Sequence, residues 1–376
     1  MGVIVAAVVL IFCLLGFSAL VLGRTAFEVE NPRGEDYVEL EGSIIRYHVR
    51  GEGPPVLLVH GWLSSSRVWE DLVEVLEDGF TIYTLDLKGF GASDKPLDGR
   101  YGIRYGGRLL YAFCAHFGLG RVSVVGHDLG GAMAVKLAAD HPEMVERLVL
   151  VSTPADGRQI DLPTPLWLAT LPVVGPLFYF LGQHAGWVRR MWLRPFVSDR
   201  KSLRQELVED AGRSTPTAVR RTLSMARREL SRGRIPRQAR SIRGEVLVVT
   251  GEEDYIVDPE AVDDWSKSMP QASISVLEGC GHLPMVEYPE EFCSLVRAFL
   301  SGERTDGGAQ RTEWAGRQDT GGPPRPDLDE TMDLGGGQEH RGGLPDEIFE
   351  WPPEFERGER GGLDEPPDDQ ERGFRR

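Results

Sequence analysis

The chain has 376 residues, of which 41% are hydrophobic, and a formal net charge of -16. This length allows one large domain, or two, with a sizeable core, and the acidic balance argues against nucleic acid as a partner. The charge is uneven: residues 186–243 carry 16 Lys/Arg against 5 Asp/Glu, and residues 302–376 carry 10 Arg against 20 Asp/Glu.

The first 23 residues, MGVIVAAVVLIFCLLGFSALVLG, contain no charged side chain. About 20 apolar residues can span a bilayer. A basic n-region and a small-x-small cleavage site are both missing, so residues 1–23 are expected to be an uncleaved transmembrane anchor. The first arginines, Arg24 and Arg33, follow this segment. The positive-inside rule then places the body in the cytoplasm.

Short apolar strands are predicted at Tyr37–Leu40 and Ile44–Val49, and in PPVLLVHG, FTIYTLDL, RVSVVGHD, VERLVLVSTP, GEVLVVTGEED and ASISVLEG. Helical patterns lie around Leu109–Phe117, in GAMAVKLAADHP, and in the closing PEEFCSLVRAFL. This alternation predicts an α/β fold, a mostly parallel doubly wound sheet with helices on both faces. Residues 24–154 and 244–301 would form the core, with residues 155–243 a helical cap inserted into it. LPTPLWLATLPVVGPLFYFLG at the start of the insertion is apolar, but Pro172 and Gly175-Pro176 oppose one continuous span. Substrate-pocket lining or cap core is its expected role. Residues 302–376, rich in Gly, Pro, Arg and acid, are expected to be a disordered tail. EIFEWPPEF within it is the one aromatic cluster and a possible docking motif for an unknown partner.

Cys13, Cys114, Cys280 and Cys293 show no metal-binding spacing; Cys13 lies in the apolar N-terminus, and the other three fit free thiols in a reducing compartment, with a Cys280–Cys293 disulfide the alternative. No metal or cofactor is expected.

Three segments carry the chemistry. In VVGHDLGG, Asp128 lies between a strand and a helix, with Gly126 and Gly130 permitting a sharp turn. In TGEEDYIVDP, Asp254 follows a strand, and Glu252, Glu253 and Asp258 are weaker alternatives. In GCGHLPMVEYPEEF, His282 completes the order nucleophile, acid, histidine. A carboxylate-held histidine is oriented to act as a base. His60, His127 and Asp86 have structural readings, holding the loops and packing beneath the elbow.

These segments, with LLVHGWLSSSRVW and LDLKGFGASDKP, resemble the motifs of the alpha/beta-hydrolase fold superfamily, in its order, from Tyr37 to Leu300. The resemblance implies catalytic Asp128, Asp254 and His282, with an oxyanion hole from the backbone N–H groups of Trp62 and Leu129. The Gly-His-Asp elbow resembles the Asp-nucleophile epoxide hydrolase and haloalkane dehalogenase branch. That branch attacks a saturated carbon through the aspartate and hydrolyses the resulting alkyl-enzyme ester. The expected partners are a small apolar organic substrate and water. The chain departs from the branch at Leu63, where proline is usual, and at Leu129, where dehalogenases often place a halide-binding tryptophan. The cap offers one tyrosine, Tyr179, where epoxide hydrolases use two. Tyr179, Trp167, Trp187 and Trp192, together with Trp62, are therefore the candidates for substrate or leaving-group contact. The alternatives are hydrolysis of an ester, lactone or carbon–carbon bond, or a non-catalytic binding protein on the same fold.

Overall fold

The computed structural model describes residues 36–171 and 174–303, with Leu10, residues 12–17 and Leu20. By contacts the chain divides into two units, 1–318 and 319–376, and every described residue belongs to the first. Most of the expected anchor and all but the first two residues of the acidic tail lie outside the described residues. Among the described residues, no single helix is long and apolar enough to cross a membrane.

The eight expected strands form one sheet. They are β1 (Tyr37–Leu40), β2 (Ser43–Arg50), β3 (Pro55–Val59), β4 (Thr81–Leu85), β5 (Val122–His127), β6 (Val145–Val151), β7 (Glu245–Gly251) and β8 (Ser273–Leu277). Their order is β1-β2-β4-β3-β5-β6-β7-β8. The β1–β2 and β2–β4 pairs are antiparallel, and the others are parallel. Every residue of β5, and all of β3 after Pro55, is buried. That is the requirement of a parallel sheet covered on both faces, and it explains the unbroken apolar runs in these strands.

Helices α1 (Glu70–Leu76), α2 (Ile103–His116) and α3 (Leu129–Asp140) belong to the first half of the core. The second half carries α10 (Ala261–Ser268), α11 (Pro284–Glu287) and α12 (Pro289–Ser301). Helix α3 is apolar nearly all round, and a helix of that kind is stable only when enclosed. It ends at His141, the residue before Pro142, where helical backbone is disfavoured. The sequence pattern passed over α1 and α10, which are short and capped by no strong signal.

Between β6 and β7 the chain inserts α4 (Thr164–Thr170), α5 (Val174–His184), α6 (Gly186–Leu193), α7 (Gln205–Arg213), α8 (Pro216–Ser231) and α9 (Arg234–Ala239). Helices α4 and the first part of α5 are apolar enough to span as a pair, but their axes meet at 116°. The insertion is pinned to the core by hydrogen bonds. Trp62 Nε1 donates to the Val219 carbonyl at 3.0 Å, Ser65 Oγ to Asp210 Oδ2 at 2.6 Å, and Arg221 to the Asp98 carbonyl at 2.6 Å. Arg204 adds an ion pair to Asp71, and Glu229 accepts the Arg104 N–H at 2.9 Å. All four cysteines are free.

The central strands should dominate stability. Leu58 on β3 is fully buried, whereas Val49 on β2 is 43% exposed. Leu58→Ala should cost about 2–5 kcal/mol in denaturant unfolding. Val49→Ala should cost well under half as much.

Candidate active site

Asp128 stands at the turn from β5 into α3. Its backbone takes φ 50°, ψ -125°, a conformation that costs a non-glycine residue about 1–3 kcal/mol. The flanking glycines make the turn possible. A side chain on Gly130 would collide with the His60 carbonyl, and a Cβ on Gly126 would stand 2.6 Å from the Gly131 Cα. The strain aims a buried carboxylate away from the sheet. Asp128 Oδ2 accepts the Trp62 N–H at 2.9 Å, and the Leu129 N–H also bonds this carboxyl group. Burial raises the Asp128 pKa, against the opposing pull of His282 and these two N–H groups.

Trp62 is held in place by the loop it belongs to. His60 Nε2 accepts the Leu87 N–H at 2.9 Å, so its proton is on Nδ1, which donates to the Gly61 carbonyl at 2.7 Å. Asp86 accepts the N–H groups of Ser66 and Ala92, each at 2.8 Å. These buried groups tie the loop after β3 to the loop after β4, the structural role expected of them.

Asp254 lies beyond the end of β7. Its Oδ1 accepts the N–H groups of Ile256 and Val257, each at 2.9 Å, and its Oδ2 accepts from His282 Nδ1 at 2.9 Å. Both side chains of this pair are wholly buried. Glu252, Glu253 and Asp258 are exposed, so burial singles out Asp254 among the four acids. With its proton on Nδ1, His282 keeps Nε2 bare, and no group among the described residues bonds that atom. Burial alone lowers the His282 pKa, but Asp254 and then Asp128 outweigh it and the net shift is upward.

The loop carrying His282 is also braced by the cap. His282 N–H donates to the Phe196 carbonyl at 3.0 Å. Glu287 accepts from Gly281 N–H at 2.9 Å on one oxygen and from Ser198 N–H at 2.7 Å on the other. Neither Phe196 nor Glu287 stood out in the sequence. Glu287 lies in the quoted histidine segment, but nothing in its spacing showed that it would join that loop to the cap.

Trp62, Leu63, Ser64, Val68, His127 and Leu283 of the core face Leu193, Phe196, Leu203, Leu207 and Asp210 of the cap across a cavity of about 20 Å³. That is room for about one water. The lining is mainly apolar. The cap aromatics are elsewhere: Trp167 and Trp187 are 48% and 72% exposed, and Tyr179 stacks on Trp192 within the cap. Tyr179 Oη donates to the Ala211 carbonyl at 2.9 Å. None of the four lines this cavity, and its lining includes the neighbours His127 and Leu283 rather than Asp128 and His282 themselves. Asp210, by contrast, was unremarked in the sequence, one of few acids in a basic stretch. Burial raises its pKa, while Ser65, Arg67 and Arg213 favour its charge. Among the described residues, no group of three or more His, Cys, Asp or Glu side chains could hold a metal ion.

The alpha/beta hydrolase fold family matches residues 54–289. A pimeloyl-[acyl-carrier protein] methyl ester esterase from Nitrosomonas europaea is 30% identical over 275 residues, covering 68% of this chain and 99% of the esterase. A soluble epoxide hydrolase from Corynebacterium sp. is 35% identical over 112 residues, 30% of this chain and 39% of that enzyme. Among solved structures, an esterase from Rhodococcus sp. superposes with a TM-score of 0.60 at 26% identity, covering 70% of this chain and 97% of the esterase. The chain belongs to the alpha/beta hydrolase fold family.

Proposed function

We propose that the protein is a hydrolase in which Asp128 is the nucleophile, His282 the base and Asp254 the acid that orients it. One observation carries this reading: Asp128 itself occupies the backbone donors of Trp62 and Leu129. An external ester would need those donors for its own carbonyl oxygen. A nucleophilic carboxylate needs them for Oδ2. When the other oxygen attacks a saturated carbon bearing a leaving group, Oδ2 becomes the carbonyl oxygen of the alkyl-enzyme ester. It then sits in a ready oxyanion hole when water attacks Cγ.

The charges support the same sequence of steps. In the free enzyme, Asp254 and Asp128 both favour protonated His282. Forming the ester removes the Asp128 charge and part of that support. His282 is then better suited to take a proton from water at the moment this is required.

The apolar lining suits a small, largely apolar organic substrate. The epoxide-like reading is preferred over the halide-like one. Halide capture needs free indole N–H groups at the site, but Trp62 Nε1 is bonded to Val219, Trp167 and Trp187 are at the surface, and Trp192, whose Nε1 has no partner among the described residues, is stacked on Tyr179 outside the cavity lining. Tyr179 is engaged by Ala211, so the proton for an opening epoxide requires another donor. Ser64 and Asp210 are polar side chains in the lining for that role. The esterase from Nitrosomonas europaea favours a second reading, ester hydrolysis with Asp128 in a different role.

Residues 1–23 are proposed to anchor the protein in a membrane, with the basic cap against an anionic cytoplasmic leaflet. Leu181 and Trp187, 45% and 72% exposed on the cap, and the Phe17–Phe180 ring contact at 5.4 Å support this placement.

Turnover of an epoxide in heavy-oxygen water should place label in Asp128, read by mass spectrometry of the enzyme, and Asp128→Asn should initially reduce turnover to background. Label absent from Asp128 after many turnovers would favour the esterase reading. Because neutral His282 is the base, the rate of ester breakdown should rise as pH increases through the His282 pKa, and that inflection should lie below the His282 pKa of the free enzyme, since the ester carries no Asp128 charge. Asp254→Asn should move that inflection to lower pH and slow turnover. In vesicle flotation, the full chain should stay with lipid at high salt, while deletion of residues 1–23 should leave only salt-sensitive binding to anionic vesicles. Retention of the deletion variant on neutral vesicles at high salt would sink the anchor proposal.

A further inference from the structure

We infer that His127 Nδ1 accepts a hydrogen bond from the hydrolytic water and orients it for attack on the Asp128 ester. The inference rests on the Asp128 reading and adds a second histidine to it.

His127 is 1% exposed. Its Nε2 lies 2.9 Å from the His282 carbonyl, which can only accept, so the imidazole proton is on Nε2. Nδ1 is therefore a bare acceptor, and no group among the described residues bonds it. Burial, and then His282 beside it, holds the His127 pKa well below the ordinary value, so Nδ1 stays unprotonated. A buried acceptor without a partner costs about 1–3 kcal/mol and is uncommon in a folded core.

The position of this nitrogen gives it a use. Gly61 has no side chain on the face that looks toward it. A Cβ there would stand 2.7 Å from both His127 Nδ1 and Asp128 Cβ and 3.1 Å from Asp128 Oδ2, too close for any side chain, so the two residues meet at the Gly61 backbone. The His127 ring also lines the cavity, and its centre is 4.7 Å from that of His282. His282 Nε2 is the second bare nitrogen of the pair. Water has two O–H groups. One donates to His282 Nε2 and the other to His127 Nδ1, which leaves the lone pairs free to face Asp128 Cγ.

In the step itself, His282 Nε2 takes one proton from the water as its oxygen bonds to Cγ. The tetrahedral intermediate collapses with cleavage of the Cγ–O(alkyl) bond, and the departing alkoxide takes the proton from His282. Asp128 is left as a carboxylic acid, whose O–H is the one His127 held. Its ionisation restores the carboxylate. His127 changes no protonation state in the cycle. It fixes the direction of attack.

Two substitutions separate this role from packing. His127→Gln keeps a nitrogen donor near the Nε2 position, for the His282 carbonyl, but removes the acceptor at Nδ1. His127→Asn keeps an acceptor near the Nδ1 position but loses the Nε2 donor. Single-turnover kinetics with intact-protein mass spectrometry, using an epoxide probe, should show normal ester formation in both variants. Ester breakdown should slow roughly 10²-fold in His127→Gln and recover to within about tenfold of the parent in His127→Asn. If the glutamine variant breaks down its ester at the parent rate, or the asparagine variant is the slower of the two, the inference is overturned and His127 only supports the His282 loop. His282→Gln is the reference. It should trap the ester whatever His127 does, and a failure to trap it would remove the Asp128 reading together with this one.

Discussion

The Trp62 N–H reaches Asp128 Oδ2 at 2.9 Å, and the rest of the site is arranged around that contact. The two residues are far apart in sequence, and the sheet brings them together. Strands β3 and β5 run side by side and parallel, with Val59 paired to Gly126, so their C-terminal loops emerge as neighbours. The first loop then has to hold a backbone N–H inward, which the buried pair His60 and Asp86 accomplishes. The second has to turn sharply enough to lift a carboxylate to meet it, which the strained φ of Asp128 provides. A helix start beneath adds a second donor and a favourable dipole. Neither loop would make the site without the strand order that pairs them.

The same contact limits the chemistry. Burying a carboxylate is costly unless donors replace its water, and each acid here is supplied with them. Asp128 has Trp62 and Leu129, and Asp254 has Ile256 and Val257. What differs is what remains free. Asp254 uses one oxygen on its own loop and the other on His282, so both of its oxygens are engaged. The donors of Asp128 are those an oxyanion would use. On the Asp128 reading, two buried carboxylates thus receive distinct roles from their hydrogen bonds, one as nucleophile and the other as the partner of His282.

Much of this was legible in the sequence, because strands buried on both faces are written as unbroken apolar runs. All eight strands were anticipated, and the order Asp128, Asp254, His282 followed from where each sits relative to a strand end. The cap was less legible. An apolar or aromatic residue on a helix shows that some face is buried but does not identify what it meets. Tyr179 and Trp192 therefore looked available for substrate, whereas they stack on each other at 5.3 Å. Trp167 and Trp187 lie on the surface for the same reason: composition does not fix which side of a short helix turns inward. Asp210 was missed because its significance is one hydrogen bond to Ser65, 145 positions away. The tautomer of His127 was beyond the sequence altogether, since it depends on a carbonyl in another loop.

The cap does more than cover the cavity. A space of about 20 Å³ admits water but no organic substrate, so on the Asp128 reading a substrate that used this space would need cap and core to part. The residues that would separate include those that position the base. Phe196 of the cap accepts the His282 N–H, and Ser198 shares Glu287 with Gly281, the neighbour of His282. Trp62 is tied to the cap as well, through Val219. Opening therefore loosens both the histidine loop and the oxyanion loop, and closure restores them together. On the Asp128 reading this coupling has chemical value. Alkyl-enzyme ester and water meet a fully oriented base only when the cap has closed and both loops are held.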